Sequence, residues 1–174
     1  MADTQRSQSD LLTILADNTT RAISPQVARD VLVSVHGVYG AMYTKGGSTA
    51  QASIGTSFVK ITGFATDGAS SGTTPDNAND EIVVGTAGVY FVAFQISFSG
   101  TNSETFTFNI HKADVEGAFQ GVRKLGTGGD VGSMSVVGCI TCAASDALAL
   151  YVKATGASKS ITPVDMQLFI FRIA

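Results

Sequence analysis

The chain of 174 residues has no tryptophan, two cysteines and three prolines. Charged side chains make up only 14% of it, too few to coat a long exposed helix or build a solvated tail. There is no basic run, and the net charge is −3, so nucleic acid is not expected as a partner. No apolar run approaches the ~20 residues that span a bilayer, so no membrane partner is expected either. The first ten residues are polar and lack the apolar core of a secretion signal, which sets the expectation of a chain made and assembled in the cytoplasm. Cys139 and Cys142 stand three apart. On a strand they leave opposite faces, poorly placed to pair. A zinc site would need a second half that is missing, so both are read as reduced, small apolar side chains.

What the chain does have is glycine, nineteen residues of it, set between short apolar runs. The stretch that organises the rest is Gly88–Gly100. Tyr90, Val92, Phe94, Ile96 and Phe98 alternate with Phe91, Ala93, Gln95, Ser97 and Ser99. A period of two marks a strand with one core face. The other face is apolar only at Phe91 and Ala93, which asks for a second partner there. Thr105–His111 sets Phe106, Phe108 and Ile110 against Thr105, Thr107 and Asn109, a strand with one wet side that carries His111 at its end. Further strands are expected at Ala41–Thr44, Ser57–Phe64, Glu81–Val84, Val115–Leu125 (with a turn at Gly117), Met134–Cys142, Ala147–Lys153 and Asp165–Ile173. Residues 65–79 read as a loop by composition, and so do Gly126–Gly132. Eight or nine short strands with turn signals between them predict an all-β antiparallel sandwich over residues 41–174.

The last strand has two apolar faces. Met166, Leu168 and Ile170 lie on one, Phe169, Phe171 and Ile173 on the other. A strand of one sandwich covers a single core. The second face is expected to be a subunit interface, with Phe91 also assigned to it; cover by a loop or by the N-terminal helix is the alternative.

Residues 1–40 read differently. Leu11, Leu12, Ile14 and Leu15 form an apolar patch ended by Asp17–Thr20. Ser24-Pro25 is a helix start, and Ala28, Val31, Leu32 and Val35 follow at helical spacing until Gly37. A helix of about three turns does not hold itself in water, so the segment needs something to pack on.

Two resemblances attach to these residues. Gly88-x-Tyr90-x-Val92-x-Phe94 is similar to the strand signature of the trimeric jelly-roll domain shared by tumour-necrosis-factor-like cytokines and complement globular heads; that family often has Phe where this chain has Val92. Leu11–Ser34, with its Ala-Asp-Asn-Thr and Ile-Ser-Pro-Gln runs, resembles an N-terminal segment of bacteriophage virion proteins that precedes a small jelly roll. Together they imply a jelly-roll sandwich, a homotrimer, and a structural protein of the virion. Its N-terminal segment would hold it to the major capsid protein or another virion protein through Leu11, Leu12, Ile14, Leu15, Val31 and Val35. A capsid decoration protein is the first expectation. A short tail-fibre head binding a host surface glycan is the alternative.

Little in the sequence points to chemistry. His36 and His111 are the only histidines, and no Gly-x-Ser-x-Gly elbow accompanies them. Gly126–Asp130 lacks the Lys-Ser/Thr of a phosphate loop and no helix follows. Asp76–Asp80 gathers oxygen ligands without the spacing of a calcium loop and reads as a turn. The expectation is no enzyme, no metal and no cofactor.

Overall fold

The computed structural model describes residues 37–47 and 49–174, with Asp10 and Thr13. The anchor residues Leu11, Leu12, Ile14, Leu15, Val31 and Val35 lie outside the described residues. From Gly37 to Ala174 the described residues contain no helix. In chain order the strands are β1 (Tyr39–Thr44), β2 (Gln51–Ile54), β3 (Val59–Lys60), β4 (Thr66–Ser71), β5 (Thr73–Asp76) and β6 (Glu81–Val84). The long ones follow: β7 (Gly88–Gly100), β8 (Thr105–Lys112), β9 (Val115–Lys124), β10 (Gly132–Cys142), β11 (Ala147–Ala154) and β12 (Lys159–Arg172). The first strand thus begins inside the stretch assigned to the N-terminal segment, and Val38 before it is already buried.

The strands form two antiparallel sheets. One runs β10-β7-β12-β1-β4, with β2 also paired to β12. The other runs β5-β6-β11-β8-β9, with β3 also paired to β11. From β6 onward the chain changes sheet at every connection except the β8–β9 hairpin, which is the winding of a jelly roll. The core lies between the sheets. Tyr90, Val92, Phe94, Ile96 and Phe98 enter it from β7, as their period predicts, and Phe106, Phe108 and Ile110 meet them from β8. Phe98 packs edge-on against Phe108 and Phe106, with ring centroids 4.9 and 5.7 Å away.

Three expectations need correction. Residues 65–79 are not a loop throughout, since β4 and β5 fall within them. They are edge strands, held by backbone pairing to β1 and β6, so their side chains carry little alternation. Gly72, at φ 65°, turns the chain from one to the other and from one sheet to the next. Ser57–Phe64 is not one strand either; pairing covers only Val59 and Lys60. Beyond them the N–H groups of Gly63 and Phe64 donate at 2.8 and 2.9 Å to the buried Asp80 carboxylate rather than to a neighbouring strand. The last strand starts at Lys159, not Asp165, and its register with β7 breaks between Pro163 and Asp165. Proline has no N–H for the ladder, and a bulge absorbs the extra residue. It moves the buried set from Ile161 and Pro163 to Met166, Leu168 and Ile170, so alternation read from the sequence is clean only after it.

The wet side of β8 is also drier than its polar residues suggest. Asn109 and His111 are buried. Asn109 is satisfied by a bulge in β9: its amide donates to the Gly117 carbonyl at 2.9 Å and accepts the Gly117 N–H at 3.0 Å. At the far end of the sandwich, Glu104 accepts the Thr155 and Gly156 N–H groups at 2.9 and 3.0 Å and meets Lys159 at 3.3 Å. The Thr155 hydroxyl, with these donors, pulls its carboxyl down to about 2.

Candidate functional site

The β7–β12 sheet has one face in the core and one turned outward. Cross-strand register lines up its outward side chains in rows. The first row is Cys139, Phe91, Phe171 and Tyr39, from β10, β7, β12 and β1. The second is Val137, Ala93, Phe169 and Ala41. The third changes character: Ser135, Gln95, Gln167 and Tyr43. Ile173 extends the apolar end, its N–H donating to the Val89 carbonyl at 2.8 Å. Phe169, Phe171 and Ile173 are 39%, 40% and 52% exposed, and Phe91 is half-buried. Small Ala41 and Ala93 flank Phe169 and leave an open hollow of about 390 Å³ beside its ring.

The four sequence-predicted interface residues thus come together on one patch. Tyr39, Val137 and Cys139 belong to the same patch and were missed. Val137 and Cys139 did carry a signal, as apolar residues on the outward phase of β10. Their position beside Phe91 depends on strand pairing, which no local pattern announces. Cys139 is exposed and Cys142 buried, both free, as their spacing implies. Burial raises the Cys142 thiol to about 11.

The other sheet carries the only described histidine, His111, on its outer face. Its ring stacks on Tyr151 from β11 at 3.8 Å and 8°, and Phe58 closes over it edge-on at 5.1 Å. The Lys153 ammonium sits 4.3 Å above the Phe58 ring. Nδ1–H donates to the Asp114 carbonyl at 3.2 Å, while Nε2 is buried and has no partner among the described residues. The Tyr151 hydroxyl donates to the Asp114 carboxylate. Among the described residues no serine or cysteine bonds the ring, and the arrangement is an aromatic cluster tying the β8–β9 turn to β11.

Burial lowers the His111 pKa below its ordinary value, the Asp114 carbonyl and the Asp114 and Glu116 charges only partly opposing it. The folded chain then binds this proton less readily than the unfolded one. The contribution of neutral His111 is complete above the unfolded value of about 6.5 and lost as pH falls from there toward the folded value. Thermal melts from about pH 8 down to about pH 5 should show the parent losing stability, with a shallower loss in His111→Phe. Equal slopes in the two proteins would refute this.

Two stretches considered for ligand binding are turns. The Asp76 carboxylate accepts the N–H groups of Ala78 and Asn79 and the Asn79 amide. The Gly126 N–H donates to Asp130 at 2.7 Å, and Gly128 and Gly129 between them take positive φ.

The sheet order and winding define the class as an antiparallel jelly roll of the tumour-necrosis-factor type. Among solved structures the chain is similar to Eiger TNF from S. frugiperda, at 19% identity over 79% of this chain and 93% of that one, with a TM-score of 0.56. It is similar also to murine APRIL, at 13% identity over 78% of this chain and 99% of that one, with a TM-score of 0.53. At such identities the likeness is one of fold. No protein-family model matches the chain, and no curated protein does.

Proposed function

We propose that this chain is a non-catalytic structural protein of a bacteriophage virion, a homotrimer joined through the outer face of the β7–β12 sheet and attached to the capsid by its N-terminal segment. The observation that carries self-association is the cluster of Phe91, Phe169 and Phe171 across two adjacent rows, large apolar rings that the described residues leave partly exposed. Contiguous apolar patches of this kind mark association surfaces. The tumour-necrosis-factor-like fold supports threefold association, and the likeness of Leu11–Ser34 to virion segments supports the location and the anchor. Light scattering tests the first part: three chains are expected, and a monomer insensitive to concentration would refute it. Labelling intact particles tests the second. Label over the whole head favours decoration, whereas label confined to the tail tip favours the receptor-binding alternative.

The anchor makes its own prediction. Three N-terminal segments on one trimer raise each other's effective concentration, so individually weak contacts give durable attachment. A truncated chain beginning at Val38 should fold and trimerise but fail to co-sediment with particles lacking the native protein. Leu12→Asp in the full chain should weaken attachment and leave the trimer's melting temperature nearly unchanged. Equal sedimentation of truncated and full chains would make the jelly roll itself the docking surface.

A further inference from the structure

We propose that the amide row, Gln95 and Gln167 with Ser135 and Tyr43 at its ends, determines the register and order of assembly between copies of this chain. The proposal rests on the self-association reading above and adds to it a division of labour within the face. The apolar rows around Phe169 and Phe171 supply adhesion, but apolar contact is non-directional and tolerates sliding and alternative partners. The amide row is directional. Gln95 and Gln167 are direct cross-strand neighbours, both exposed, and among the described residues no group bonds either side-chain amide. Once a second copy covers the face, each unpaired amide is costly, so only registers that pair them survive. A polar group at an otherwise apolar interface selects register and oligomer order in this way, at some expense of affinity.

The occupant is a second copy because the face is nearly neutral. Its three rows contain no charged side chain. Past the amide row, the hollow that Tyr43, Gln95 and Gln167 line also holds one charge of each sign, Lys45 and Asp165, the latter accepting the Gly46 N–H at 3.0 Å. With one charge of each sign the face is neutral in sum, so identical faces can approach without net repulsion, whereas a strongly acidic or basic partner meets no matching excess of charge.

The test uses the full chain and two variants, followed by sedimentation velocity and native mass spectrometry over about a 100-fold dilution series. The parent should be one trimeric species. Gln95→Leu/Gln167→Leu should dissociate at about tenfold lower concentration yet spread over several oligomer orders. Gln167→Glu places like charges where the amides pair. It should be monomeric at neutral pH and trimeric again once the pH falls below the carboxyl range, a recovery that damage to the fold does not produce. If the double variant keeps the parent's single species and dissociation midpoint, or Gln167→Glu assembles normally at neutral pH, the amide row lies outside the interface and self-association stands without it. A monomeric parent overturns the self-association reading itself, and this proposal with it.

Discussion

Phe169→Asp is expected to convert the proposed trimer to a folded monomer. Phe169 stands in the middle of the apolar rows, between Ala93 and Ala41, with its ring turned away from the core. Burying a carboxylate there against another copy, with no cation in the apolar rows to pair with it, costs several kcal/mol per interface. Every ~1.4 kcal/mol is tenfold in the dissociation constant, so a loss of at least 100-fold is expected. The same substitution leaves the inner packing untouched, since Leu168 and Ile170 point the other way. The isolated chain should therefore keep its strand signal in circular dichroism while light scattering reports one chain. A variant that remains trimeric at micromolar concentration would show that the interface lies elsewhere.

Phe94→Ala should have the largest effect on stability. The ring is 2% exposed and packs 6.2 Å from Phe108 across the two sheets. Truncating a buried aromatic ring removes its transfer energy and leaves a cavity, together ~3–5 kcal/mol. Domains of this size hold ~5–15 kcal/mol in all, and each kcal/mol shifts the melting temperature by ~2–4 °C, so a fall of roughly 6–20 °C is expected. The neighbouring Gln95→Ala, on the outward phase of the same strand, should move the monomer's melting temperature far less. A Phe94→Ala melt within two degrees or so of the parent would mean the phase of β7 is reversed.

The two faces of β7 explain why so much of this fold is legible. A central strand packed on one side has to alternate, and Tyr90 through Phe98 do. The same holds for β8, β11 and the second half of β12. The edge strands β4 and β5 did not show themselves. Their residues Thr66–Ser71 and Thr73–Asp76 are held by main-chain bonds to β1 and β6, and main-chain bonds leave no trace in residue type. The Pro163 bulge hid the first half of β12 by shifting its phase, although proline itself marked the place. His111 was read as standing on a wet face. It is buried because Phe58 and Tyr151, 53 and 40 residues away in the chain, close over it.

By itself, then, the order of residues determined which side chains are apolar at strand spacing: the inward set of each central strand, and a second set, Phe91, Phe169 and Phe171, on the opposite phase. That follows from hydrophobicity and the two-residue period, both local properties of the chain. Only the tertiary structure decided which rings lie side by side. Phe91 and Phe171 are 80 residues apart and become neighbours through the pairing of β7 with β12, which also brings Gln95 beside Gln167. Register between distant strands is chosen by the packing of the whole sandwich, where one residue of slip would turn every inward side chain out. The outward rows exist as a surface only because the core on the other side of the same strands settled that register first.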